Sequence, residues 1–259
     1  VRFKKTLEQS QRLRIKTMDD DNIKEPEVFE DMLLEYSGHV IDPNKLSNYD
    51  RASMAYFTDS KMVRQPRLHI TISLDITKAH RDFLDRAEPE DTFTAYLTWG
   101  LLATIQKHPR LSWRQIDGVW YAFDNLPLFL PVTSGLKGDR LVSVLLKDIT
   151  GADWDSFSSR YNSAIQEARE EALRAWSDPF ANKLHWSVYH VIGNLPALQF
   201  TGLILHESGF ETTRPMFYFG HRHQVQDDLF VPFAVQFHHA TFDPVLLTDF
   251  LADFQKQVG

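Results

Sequence analysis

Between Arg67 and Thr77 the apolar residues fall on every second position: Leu68, Ile70, Ile72, Leu74 and Ile76. That spacing puts all five on one face of an extended strand, half-buried against a core. Directly afterwards the period changes. Residues 87–109 open with acidic side chains and close on Lys107-His108-Pro109, the start and stop marks of a helix. "LSWRQIDGVWYAFD" then gives two short strands around Asp117-Gly118, the strongest hairpin signal in the chain. "GDRLVSVLLKDI" predicts a further strand. Residues 153–177 predict a long helix, with Trp154, Phe157, Tyr161, Ile165, Ala168, Ala172 and Trp176 three or four apart. Strands are expected near 185–192, 198–205, 215–220 and 229–238, and a last helix over 244–257. Hairpins interleaved with a few helices predict α+β layers rather than a doubly wound parallel sheet.

The 259 residues, 43% of them hydrophobic, allow one large domain or two small ones, with enough buried area for a substantial core. Residues 1–46 differ from the rest: basic and acidic runs alternate and aromatics are few, so they read as an N-terminal appendage to a domain over 47–259. No segment approaches the roughly 20 apolar residues needed to span a bilayer, so no membrane is expected as a partner. No cleavable signal is visible, although the chain begins at Val1. The net charge of −7 argues against a general nucleic-acid binder. There are no cysteines, which excludes disulfides, thiolate metal sites and a cysteine nucleophile, and fits a cytoplasmic location.

The chemistry concentrates near the C-terminus. "FAVQFHHATFDPVLLTDF" (233–250) reads as strand, sharp turn and helix, with His238 and His239 at the turn. Asp243 suits an N-cap and Pro244 the first helical position, so the helix start is well made whatever the function. Val235, Phe237 and His239 share one strand face and His238 takes the other. A base at the apolar end of a strand is the placement general-base catalysis wants, with the ring neutral near pH 7. Other candidates are weaker. His221 and His223 form at most a metal half-site with no third ligand in spacing, so no metal is expected. The turn from Ser134 to Gly138 lacks the Gly-Lys-Ser/Thr ending of a phosphate loop, and no Gly-x-Ser-x-Gly elbow exists.

"DDLFVPFAVQFHHATFD" resembles the active-site segment of the chloramphenicol acetyltransferases, in which a strand ends in His-His-Ala-x-x-Asp-Gly. Four more phrases follow in family order. "SNYDRASMAYF" resembles the N-terminal Asn-Trp-x-Arg segment, "HITISLDIT" the first strand, "LSWRQIDGVWYAFDNLPLFLPV" the hairpin and "VIGNLPALQF" the Ser-x-Leu-Pro-Trp strand. The likeness covers about 47–259. It implies an α+β two-layer sandwich, a mixed sheet with helices on one face, and a homotrimer with active sites at subunit interfaces. It also implies His239 as general base, taking the proton from an acceptor that attacks an acyl thioester in a ternary complex. Asp243 falls on the family's structural aspartate and Arg51 on its arginine partner, so an ion pair is expected between them.

Two departures stand out. Pro244 replaces the motif glycine, and Gly193 falls where the family serine steadies the oxyanion. Losing one such donor typically costs about 10²–10³ in rate. Asn194, Thr201 and Tyr218 are the candidates for the missing contact, or for contacts to the acceptor. Ala197 in place of the family tryptophan suggests a reshaped acceptor pocket. The expected reaction is therefore a divergent acyl transfer from acyl-CoA, or from acyl-pantetheine on a carrier protein, to a hydroxyl or amine. The acceptor is a small molecule or is itself carrier-bound, and no tightly bound cofactor is implied. The alternatives are a true chloramphenicol O-acetyltransferase, and a non-catalytic binding or scaffolding module that keeps His239 only for packing.

Overall fold

The computed structural model describes residues 25–134, 140–170, 187–206 and 213–259. Residues 1–24, the 135–139 part of the Ser134 turn and positions 171–177 of the expected long helix lie outside the described residues.

Six helices and ten strands follow in chain order: α1 (Glu25–Glu35), β1 (Gly38–Val40), α2 (Asn48–Thr58), β2 (Arg67–Asp75), α3 (Thr77–Leu84), α4 (Phe93–Lys107), β3 (Trp113–Ile116), β4 (Val119–Phe123), β5 (Leu128–Thr133), β6 (Leu141–Leu146), α5 (Trp154–Glu170), β7 (His190–Asn194), β8 (Met216–Phe219), β9 (His223–Val225), β10 (Asp228–His238) and α6 (Pro244–Val258), counted among the described residues. The main sheet runs β2-β10-β8-β7-β5-β6, with β9 also on β10. It is mixed, because β8–β7 and β7–β5 are parallel and the other pairs antiparallel.

Strand parity decides what each face meets. On one side Leu74, Ile192, Phe217, Phe233, Val235 and Phe237 enter a core with helical residues such as Phe83, Leu101, Phe157 and Phe250. α4 is almost entirely buried at its centre, and Thr92 caps it by accepting from the Ala95 N–H at 3.2 Å. The expected mixed sheet with a helical layer is what forms.

The other face carries a second core that the sequence reading did not anticipate. Phe129, Val191 and Met216 project there and meet Met32 of α1, Tyr36 just after it, and Tyr121 and Phe123 of β4. β4 lies between β1 and β3 in a small sheet of its own, and its hairpin with β3 turns at Asp117 (φ 49°) and Gly118 (φ 79°). A residue with φ above zero at both turn positions fits the twist of the flanking strands, as Asp-Gly predicts. Within the nominal appendage, residues 25–46 thus cover one part of the main sheet.

The strand expected at 198–205 does not form. The segment crosses the second face as an irregular loop, in which the Leu203 N–H donates to the Thr71 hydroxyl at 3.2 Å and the Leu198 carbonyl accepts from His221 N–H at 2.7 Å.

Candidate active site

β10 is the second strand of the main sheet, and its full-length pairing with β2 carries the chain to His239. The His239 N–H donates to the Pro66 carbonyl at 2.8 Å, extending that pairing by one residue. α2 runs past the strand end. Its Phe57 ring stacks on the His239 imidazole with centroids 4.0 Å apart and planes 15° apart, and its Ser53 hydroxyl donates to the His239 carbonyl at 3.5 Å. The ring is therefore fixed on one face and at its backbone. Nδ1 is buried without a hydrogen-bond partner. A neutral ring with its proton on Nδ1 leaves the Nε2 lone pair free to accept one.

His238 is a different kind of residue. Its Nδ1 accepts from the Ala240 N–H at 3.1 Å, and its carbonyl accepts from the N–H groups of Thr241 and Phe242 and from the Thr241 hydroxyl. Burial, with the Arg67 and His239 charges, lowers its pKa to about 4. It builds the turn and stays neutral.

The turn delivers the chain into α6 through Asp243, whose carboxylate accepts from the N–H groups of Val245 and Leu246 at 2.8 and 2.9 Å. The Tyr49 hydroxyl reaches its other oxygen at 3.5 Å. The expected Arg51–Asp243 ion pair is not made. Arg51 instead folds back on the turn before α2, donating to the carbonyls of Leu46 at 2.7 Å and Pro43 at 3.2 Å and to the Asn48 side chain. Pro244 starts the helix immediately, so the Asp243 lone pairs go to the first free N–H groups. The ion pair of α2 lies one residue earlier, between Asp50 and Arg110 at 2.6 Å. Burial pushes the Asp50 carboxyl up, but Arg110 and the Ser47 hydroxyl outweigh it and hold it below the usual carboxylate value.

The three candidates for the oxyanion contact sit elsewhere. Asn194 pairs in register with Phe219, which pairs with Phe233, six residues before His239. At about 3.3 Å per residue that is roughly 20 Å along the sheet. Its side chain donates to the Thr94 hydroxyl at 3.1 Å. Thr201 is exposed in the loop beyond β7. Tyr218 is half-buried on β8, and its ring lies over Gly193: a Cβ at 193 would fall 2.2 Å from Tyr218 Cε1. A side chain at 193 and the Tyr218 ring in this position would compete for one space. Burial raises the Tyr218 pKa, only partly offset by the Arg214 charge, so its phenol keeps its proton. Within one chain, none of these three residues meets His239.

His221 and His223 do not converge either. Nδ1 of His221 lies 2.6 Å from the Pro196 carbonyl, while the His223 ring stacks on Phe230. Among the described residues no group of three His, Cys, Asp or Glu side chains could hold a metal, and no helix is long and apolar enough to cross a membrane. The sequence reading missed Ser53 and Phe57 as supports of the His239 ring. Their spacing of four on α2, one helical face, was the available signal.

No family model matches the chain, and no curated protein matches it in sequence. Solved structures do match in shape. A chloramphenicol acetyltransferase superposes with a TM-score of 0.72 over 86% of this chain and 100% of its own, at 16% identity. This is the chloramphenicol acetyltransferase fold. A probable dihydrolipoamide acetyltransferase from Listeria monocytogenes shares it at TM-score 0.56 and 15% identity, over 84% of this chain and 94% of its own. The cubic core of a pyruvate dehydrogenase multienzyme complex does so at 0.58 and 11%, over 84% and 91%. In the chloramphenicol acetyltransferase fold of this chain, His239 takes the end of the long strand beside the edge and Gly193 the far end of a central one.

Proposed function

We propose that the chain is an acyltransferase that moves an acyl group from a pantetheine thioester, on coenzyme A or a carrier protein, to a hydroxyl or amine acceptor. The observation that carries this reading is the His239 imidazole, clamped on Phe57 at a strand end with Nδ1 buried. In the reaction Nε2 takes the acceptor's proton as the acceptor attacks the thioester carbonyl. The tetrahedral oxyanion then collapses, the carbon–sulfur bond breaks, and the imidazolium returns the proton to the departing thiolate. The products are acylated acceptor and free thiol.

The chain works as a homotrimer in this reading, with the site between two copies. The support is the separation along one sheet, roughly 20 Å between His239 and Asn194 and roughly 17 Å between His239 and Tyr218, which pairs with Ala234. A neighbouring copy offers its own Gly193 end to His239, and Tyr218, a protonated phenol over the serine-less position, is the donor for the oxyanion. Pro244 and Ala197 point to an acceptor other than the family antibiotic.

The test is thiol release from acetyl-CoA and from an acyl-pantetheine, measured with a panel of hydroxyl and amine acceptors. Turnover is expected in the wild type and loss of about 10²-fold or more in His239→Ala, with thioester binding retained. Equal turnover in the two proteins would remove His239 as the base, and no turnover in either would leave a non-catalytic module as the reading.

A further inference from the structure

A cavity of about 230 Å³ opens between the C-terminal end of α4, the turn after it, the β4–β5 link and the start of β7. Its lining is mixed: Leu102 and Ile105 from α4, with Phe123, Leu126 and Ile149, supply an apolar part. At its closed end stand Ser112 and His190, and exposed Gln106, Asp124 and Thr150 surround the mouth. His190 is only 4% exposed, and its Nδ1 has no hydrogen-bond partner. An unpartnered polar atom buried in a fold is costly unless something completes it.

Behind this closed end lies a buried charge. Arg114 is 1% exposed, and its Nη1 donates to the carbonyls of Leu111 and Trp113, the two residues flanking Ser112, at 2.8 Å each. Its Nε donates to the Val188 carbonyl at 3.0 Å, two residues before His190. The guanidinium thus ties both sides of the closed end together. Its Nη2 has no partner, and no carboxylate pairs with it among the described residues. The charges acting on it are those of Arg214 and Arg67, also positive. Arginine does not shed its proton in proteins, so Arg114 places a positive charge behind this end of the cavity. Burial, with the Arg114 charge, lowers the His190 pKa well below its usual value, so the imidazole is neutral and presents a donor rather than a second charge. The Asp124 carboxylate at the mouth gives the field its direction: an anionic head is drawn inward and held off the rim.

We infer that this cavity binds a small monocarboxylic acid with an apolar body, its carboxylate accepting from Ser112 and His190 over the Arg114 charge and its body lying against Leu102, Ile105 and Ile149. At about 230 Å³ the cavity falls below the roughly 300–1,000 Å³ of drug-sized pockets, which restricts it to a small acid such as a short-chain or benzoic acid. The site is separate from His239 and does not depend on the acyltransferase reading.

Titration calorimetry with sodium benzoate on the wild-type chain tests it. One saturable site per chain is expected, with the neutral isostere benzamide binding about tenfold or more weakly, because a charge-assisted hydrogen bond is lost. His190→Phe and Ser112→Leu are each expected to weaken benzoate by about tenfold, and His239→Ala to leave it unchanged. Should either cavity variant fail to fold, nuclear Overhauser contacts between benzoate and the methyl groups of Leu102, Ile105 and Ile149 in the wild type decide the matter. Equal binding of benzoate and benzamide, unchanged binding in both variants, or absence of those contacts would overturn the proposal. Loss of binding in His239→Ala would overturn it too, by assigning benzoate to the transfer site.

Discussion

Ala240 donates its N–H to Nδ1 of His238, so the neutral ring carries its proton on Nε2, and a protonated ring would lose that bond. Folded His238 titrates near 4, while an unfolded histidine titrates near 6.5. Between those values the unfolded chain binds the extra proton. Stability therefore rises with pH from about 4 to 6.5 and is complete above that, a difference of about 3 kcal/mol. His238→Gln keeps an acceptor for Ala240 and cannot protonate. Urea unfolding at pH 4.5 and 7 should show a smaller pH difference in the variant than in the wild type; equal slopes would mean that another group carries the effect. Gly193 and Tyr218 form a second residue-scale pair. Gly193→Ser drives a Cβ into the Tyr218 ring and should destabilise the fold by about 1–3 kcal/mol. Tyr218→Ala in the same chain should recover most of that loss. Additive losses in the double variant would sink the claim that the two residues exchange one space.

At the scale of elements, β10, its turn and α6 were legible in sequence because each signal is local. Alternation gave the strand, Asp-Pro gave the cap, and the Leu247, Phe250 and Phe254 stripe gave the helix's buried face. The segment 198–205 was not legible as a loop. It reads apolar, yet Ile204 is 81% exposed, and its bond to the sheet goes to the Thr71 side chain rather than to a strand backbone. What an apolar run packs against is set by topology, which local pattern does not contain. The Arg51–Asp243 pair failed for a related reason: likeness of residues carries no information on competing donors nearby. Asp243→Ala should cost about 1 kcal/mol through the lost cap. Arg51→Ala should cost about as much, through the bonds it makes to the turn at 43–48. A double-mutant cycle in urea should give coupling under about 0.5 kcal/mol, whereas a direct ion pair would couple them well beyond that.

For the whole molecule, the main sheet is covered on one face by helices and on part of the other by α1 and the small sheet. Sequence likeness gave the helical layer. It did not give the second core: Phe29, Met32 and Leu33 of α1 and Tyr36 just after it recur at helical spacing, but their partners come from four separate strands, a pairing that local pattern does not contain. The same scale decides catalysis. If His239 of one copy works with Tyr218 of the next, two variants that are each inactive can complement one another. His239→Ala and Tyr218→Phe, unfolded together in equal amounts and refolded, should regain activity that neither shows alone. With random assembly of a ring, about a quarter of the interfaces combine an intact His239 with an intact Tyr218 from different chains, and thiol release should approach that fraction of the wild-type rate. A site contained in one chain predicts no recovery, because every copy then carries one defect. Should Tyr218→Phe alone remain fully active, the donor is another residue, and the same mixing with Asn194→Ala asks the interface question independently. Light scattering on the refolded mixture must show the trimer for the fraction to mean anything, and a monomer with recovered activity would contradict the interfacial site outright.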